Sequence, residues 1–263
     1  MIQAGGVYMR ENVCKTLKYY DLILYHNLMN LPAYSLPEGY SFRFYQPGDE
    51  ENWLQIEASA REFLCPEEGR EAWQRYYGGK EEKLKSRMLF VIDAKGNPVA
   101  TATAFDDQKD EAAGWLHWVA VRREHQGKGI SKPLVYKALQ ILKEMGYPYA
   151  CVPTQTTTWL AVKVYLDCGF IPWKGETEGW RIIRTLTNHP KLQEYSLFTE
   201  QEIYDPVMLD MEKQVYTLFP DAVDFSIWTE GRLRAGIKTK AGTQYYSMMP
   251  KEEGGYLLGE CIL

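Results

Sequence analysis

The stretch VAVRREHQGKGIS, Val119 to Ser131, ends a β-branched run in two arginines and then sets two glycines around a lysine. It lies in a chain of formal net charge -5, so its positive charge is a local feature. Upstream, GWLHWVAVR reads as a strand. Downstream, Ile130, Leu134, Ala138, Ile141, Leu142 and Met145 recur at helical spacing until Gly146 stops the pattern. A strand that stops at a glycine-rich turn and feeds a helix leaves backbone N–H groups without partners, and these donors plus the helix dipole attract phosphate-like anions. Gly127 and Gly129 let an anion approach the backbone, and Arg122, Arg123, Lys128 and Lys132 surround it with charge. The same residues also suit a tight turn before a solvated helix start, and the loop alone does not choose between the two. It is neither GxxxxGK[ST] nor a GxGxxG turn opening a βαβ unit.

The flanking sequence sets the fold class. SFRFY alternates like a strand, QPGDEENWLQIEASAREF opens with turn and capping residues and then turns helical, and GREAWQRYY gives a second helix. RMLFVID and PVATATAFD form a hairpin across AKGN, where Gly96 and Asn97 tolerate positive φ. After the helix that follows Ser131, YPYACV is a strand and TQTTTWLAVKVYLDCG a threonine-capped helix ending at Gly169. FIPW and GWRIIRTL then read as two further strands. The whole is an α/β protein with a mixed sheet.

At the amino end, YYDLILYHNLMNL reads as an amphipathic helix, too short and too polar to span a bilayer, and the two prolines of LPAYSLPEGY mark a linker. The first eight residues lack the form of a signal peptide and read as loosely held or as upstream of a start at Met9, with no export expected and a cytoplasmic protein implied. Beyond Pro190 the texture changes to one helix, PVMLDMEKQVYTLF, and hairpin-like strands. The expected division is residues 1–38 as helical segment and linker, 39–190 as the main domain and 191–263 as a smaller α+β extension.

Composition removes several functions. An acidic chain has little to offer a phosphate backbone, so nucleic acid is not an expected partner, and neither is a membrane. The five cysteines are widely spaced with no CxxC pair, which fits reduced thiols and no metal. Exposed strands leave room for a homodimer.

Gln126, Gly129 and Ser131, placed between strand and helix, resemble the acetyl-CoA motif Q/R-x-x-G-x-G/A of the GNAT superfamily of N-acetyltransferases, with serine where the family has glycine or alanine. Downstream, Thr158 stands seven residues before Tyr165 in TWLAVKVYLDCGF, where the family has asparagine ahead of its tyrosine. From about Gly39 to Thr187 the order of elements resembles the GNAT fold, with the N-terminal helix and the C-terminal extension outside it. The resemblance implies acetyl-CoA as co-substrate and transfer of its acetyl group to a primary amine, of a small molecule or a peptide, by direct attack in a ternary complex. The alternative is a GNAT-shaped module that binds acyl-CoA without turnover.

The resemblance also assigns residues. Val119, Ala120 and Val121 would meet the pantetheine, and Gln126, Gly127, Lys128, Gly129, Ile130, Ser131 and Lys132 would cradle the diphosphate, with Thr158 beside them. Tyr165 is the expected proton donor to the thiolate. His117, two residues before Val119 and so on the same face of a regular strand, is the expected base, with water as the alternative. Glu57 and Glu62 lie in the region that lines the family's acceptor groove. Asp106, Asp107, Asp110 and Glu111 read as surface, and Trp53, Trp73 and Trp159 as core or groove wall.

Overall fold

The computed structural model describes residues 13–106, 112–229 and 233–262. Met9, Asp107, Asp110 and Glu111 therefore lie outside the described residues. The chain runs β1 (Asp21–His26), β2 (Ser41–Phe44), α1 (Glu50–Ser59), α2 (Pro66–Tyr77), α3 (Glu81–Arg87), β3 (Met88–Ile92), β4 (Pro98–Asp106) and β5 (Ala113–Val121). It continues as α4 (Ser131–Glu144), β6 (Tyr149–Gln155), α5 (Trp159–Asp167), β7 (Ile171–Gly175) and α6 (Thr177–Thr187). These build one mixed sheet in the order β2-β3-β4-β5-β6-β1-β7. Its single parallel pair among the described residues is β5 with β6.

Each face of the sheet is sealed by a different set of helices. On one, Leu134, Ala138 and Leu142 of α4 and Val162 and Leu166 of α5 pack on Leu89, Ala100 and Leu116 of the strands. On the other, Trp53, Trp73 and Tyr77 of α1 and α2 form an aromatic cluster against Phe90 and Ala120. Burying such side chains is worth about 1.5–3 kcal/mol each, so both layers are held strongly.

Two expectations are corrected. YYDLILYHNLMNL does not form a helix. Its centre is β1, which pairs antiparallel with β6 on one side and β7 on the other. Leu22, Leu24 and His26 are buried at every second position, a period of two that the leucines' helix preference masks when the segment is read alone. The N-terminal segment is thus an interior part of the sheet. GWRIIRTL is not a strand but the body of α6, with Trp180 and Ile183 buried one turn apart. Its Ile pair suggested β structure. The apolar spacing and the left-handed stop at Asn188, φ 48°, fit a helix.

The remaining residues form α7 (Pro206–Leu218) and an antiparallel sheet of β8 (Asp224–Trp228), β9 (Arg234–Thr239), β10 (Gly242–Pro250) and β11 (Tyr256–Ile262), in the order β11-β10-β9-β8. Met211 and Val215 of α7 cover one side of this sheet. The other side meets the α1–α2 connection, where Thr243 Oγ1 donates to Leu64 O at 2.9 Å. The sequence reading anticipated α7 and β8 to β10 and had no expectation for α3 or β11.

Candidate active site

The cleft is made by two strands that stop pairing. β5 and β6 share a parallel ladder only at Ala113↔Tyr149, Gly114↔Ala150 and Trp115↔Cys151, and beyond it they part. The outgoing half of β5 then forms one wall of a cleft of about 720 Å³, with Val119, Ala120 and Val121 on its lining. That volume suits a long, flexible small molecule.

A bulge decides which side chains of β5 reach this wall. Thr101 pairs with Ala120 but Thr103 pairs with His117, so one extra residue is inserted, and Trp118 takes φ 46°. The simple alternation that put His117 and Val119 on one face is broken. His117 turns to the aromatic layer, where its ring stacks on Phe105 at 4.7 Å and Nδ1 lies 3.2 Å from the Tyr77 hydroxyl. It does not line the cleft, which corrects the expectation of a base at this position.

The opposite end of the cleft is the quoted loop. Gly127 and Gly129 have φ 73° and 81°, a region open to glycine and costly for other residues. A Cβ built on Gly127 would meet no protein atom within 4 Å, so this edge of the loop faces open space. The N-cap residue of α4, Ile130, makes no side-chain cap, and Ser131 and Lys132 of its first turn lie on the cleft lining. Gln126 Nε2 donates to Val121 O at 2.9 Å and ties the loop to the strand end.

The expected cradle residues separate into two sets. Gln126, Gly127, Gly129, Ser131 and Lys132 line the cleft, whereas Lys128 and Ile130 do not. Ile130 is instead a core residue. Of the other basic residues, Arg123 lines the cleft, while Arg122 is turned aside by bonds to Pro98 O and Gln55 Oε1. Lys163 of α5 is an addition the sequence reading missed. Its Nζ and that of Lys132 both lie near Asp167 Oδ2, at 2.9 and 3.2 Å. This shared carboxylate is held below the usual range by its lysine partners despite partial burial.

Helix α5 supplies the second wall. Thr158 lines the cleft with its hydroxyl engaged by Thr154 Oγ1 and Gln155 O, both at 3.0 Å. Tyr165 also lines it, is 5% exposed and packs on Phe170. Burial, reinforced by the nearby Glu62 and Glu57 carboxylates, pushes its phenol well above the usual range, so it keeps its proton at neutral pH.

Facing Tyr165 is the end of α1. The Glu62 N–H donates to Glu57 O at 3.1 Å and the Arg61 N–H to Ala58 O at 3.2 Å, a Schellman pair that closes the helix. The left-handed residue of this motif is usually glycine. Here it is Arg61, φ 71°, in a conformation that costs a non-glycine residue roughly 1–2 kcal/mol. The turn presents Glu62 to the cleft. Its side chain is exposed to the cleft yet surrounded by protein, and that crowding, offset in part by Lys15, raises the carboxyl to about 7. Glu57, one turn back, is 1% exposed, and neither of its oxygens has a hydrogen-bond partner among the described residues. Burial and the neighbouring Glu62 push it up strongly, which favours its neutral form.

Among the described residues, no cluster of three or more His, Cys, Asp or Glu side chains is arranged to hold a metal ion, and no helix is long and apolar enough to cross a membrane. Asp106 is bound to Lys83 and Arg87 at the surface. Trp53 and Trp73 are core, and Trp159 is half-buried at the start of α5.

Comparison with known proteins supports the same assignment. The Acetyltransferase (GNAT) family profile matches residues 51–170. Curated relatives include the mycothiol acetyltransferase of Pseudarthrobacter chlorophenolicus, 29% identical over 150 residues that cover 55% of this chain and 46% of that protein. The mycothiol acetyltransferase of Thermobispora bispora is 30% identical over 158 residues, 54% of this chain and 50% of that one. The chain thus spans about half the length of these relatives. A crystal structure of a GCN5-related N-acetyltransferase from Sphaerobacter thermophilus superposes with a TM-score of 0.50 at 20% identity, covering 64% of this chain and 52% of that one, a likeness of fold. Residues 51–170, the stretch that matches the Acetyltransferase (GNAT) family, thus contain both the divergent end of β5 and the glycine loop opening α4.

Proposed function

We propose that this protein transfers an acetyl group from acetyl-CoA to the primary amine of a small molecule by direct attack, without a covalent enzyme intermediate. The observation that carries this reading is the shared cleft. An uncapped helix N-terminus, a raised carboxyl on Glu62 and a protonated phenol on Tyr165 all open onto the same space.

The residues fit acetyl-CoA. The glycine loop and the first turn of α4 would hold the diphosphate, with Arg123, Lys132 and Lys163 supplying charge, and the free half of β5 would take the pantetheine. Acetyl-CoA supplies an activated acetyl thioester. Glu62, ionised above about pH 7, takes a proton from the incoming ammonium. Tyr165 holds a proton to give to the departing thiolate. Glu62 thus fills the role the sequence reading gave to His117. The name of the relatives, mycothiol acetyltransferase, supports a small-molecule acceptor. No cysteine lines the cleft, and burial pushes the nearby Cys168 thiol up to about 12, which disfavours a thiol nucleophile.

The test is thiol release from acetyl-CoA with a panel of amino acids, amino sugars and cysteine derivatives. Turnover with at least one amine supports the proposal. Tight coenzyme A binding with no turnover on any of them would instead make this a binding module.

Binding itself is tested at the loop. Gly127→Ala puts a methyl group on a left-handed residue that nothing crowds, so its cost is backbone strain. Coenzyme A affinity, measured by calorimetry, is expected to fall roughly tenfold. An unchanged dissociation constant would show that the loop does not contact the ligand.

A further inference from the structure

The turn that carries Glu62 is fastened from the C-terminal unit. Arg61 Nη2 donates to Asp224 Oδ1 at 2.6 Å, and Lys15 Nζ lies 2.9 Å from the same oxygen. Asp224 opens β8, is 3% exposed, and also accepts from the Phe225 N–H at 2.8 Å. Lys15 donates onward to Ser226 Oγ at 3.1 Å and to Phe225 O. One buried carboxylate of the second sheet therefore gathers two cations from the cleft rim. Arg61 adjoins Glu62, and Lys15 lies two residues from Val13, which lines the cleft.

A left-handed non-glycine residue persists where its surroundings over-determine it, and here the Arg61 side chain is the tether. Buried ion pairs are poor sources of net stability, because desolvation offsets their attraction, so what they contribute is a fixed geometry.

We propose that Asp224 is a positioning residue for the cleft: through Arg61 it locks the turn after α1 and so fixes the direction of the Glu62 side chain. The C-terminal unit then completes the acetyltransferase site. The effect on turnover rests on Glu62 acting as the base; the geometry does not. The groups facing Glu62 are Lys15 and Tyr19 from the N-terminal segment, Glu57 from α1 and Tyr165 from α5.

The experiment is a carbon-13 NMR titration of carboxyl-labelled glutamate in the full chain, with the Glu62 signal assigned by its loss in Glu62→Gln. In Asp224→Asn the turn is released and the carboxyl swings toward water. Its midpoint is expected to fall by at least one pH unit from the wild-type value near 7. Turnover falls tenfold or more, while the dissociation constant for coenzyme A stays within twofold. In Arg61→Gly/Asp224→Asn, glycine takes the left-handed backbone without a tether, and the midpoint returns to within about half a pH unit and turnover to within threefold of wild type. Should Asp224→Asn not fold, Arg61→Lys, which loses the planar fork, replaces it with the same expected fall. An unshifted midpoint in a folded variant, or a folded double variant that does not recover, overturns the proposal. If Glu62→Gln leaves transfer intact, the base assignment fails, and the midpoint still decides the positioning.

Discussion

Replacing Glu62 with glutamine is expected to lower kcat about a hundredfold, the lower end of what a positioned base contributes. Glutamine keeps the size and polarity of the side chain and loses the ability to take a proton. The pH profile gives the sharper signature. Crowding raises the Glu62 carboxyl to about 7, and a base works in its ionised form. Wild-type kcat should therefore fall tenfold per unit as pH drops below about 7 and level off above it. In Glu62→Gln that acid limb disappears, leaving a low rate that no longer depends on this group. A profile that keeps its limb in the variant would remove Glu62 from the mechanism.

Replacing Tyr165 with phenylalanine should cost a similar factor for a different reason. The ring is retained, so packing on Phe170 and the wall of α5 survive. What the proposed mechanism would lose is the proton for the departing thiolate, which burial keeps on the phenol across the working range. We expect kcat to fall about a hundredfold, with KM for acetyl-CoA and the melting temperature nearly unchanged. A fall in affinity without a fall in kcat would make Tyr165 a wall residue. The two variants also separate by pH: Glu62→Gln erases the acid limb, whereas Tyr165→Phe lowers the plateau and leaves the limb in place.

Much of this site could be read in advance because its signals are local. A strand ending in glycines and continuing as a helix with α4's apolar spacing defines a backbone shape within a dozen residues, and Gln126, Gly127, Gly129, Ser131 and Tyr165 line the cleft. The misreadings share a cause in interactions between distant segments. Nothing in WLHWVA announces the bulge at Trp118. It arises from the register between β4 and β5, and it turns His117 away from the cleft. For Glu62 the resemblance gives only a place near the acceptor groove, and its raised carboxyl depends on the Schellman turn and the walls around it. The pairing of Asp224 with Arg61 spans 163 positions and leaves no trace in local pattern. β1 reads as a helix in isolation because its partners, β6 and β7, lie more than a hundred residues downstream.

That late partnership shapes how the chain must be assembled. The first strand among the described residues lies between β6 and β7, which are the last two strands of that sheet in chain order. It waits, unpaired and apolar, until almost the whole acetyltransferase domain has been synthesised, and its insertion is the closing step that joins β7 to the rest. Non-local closure of this kind slows folding, and a chain cut short before β7 would leave the outer side of β1 as an unpaired strand edge.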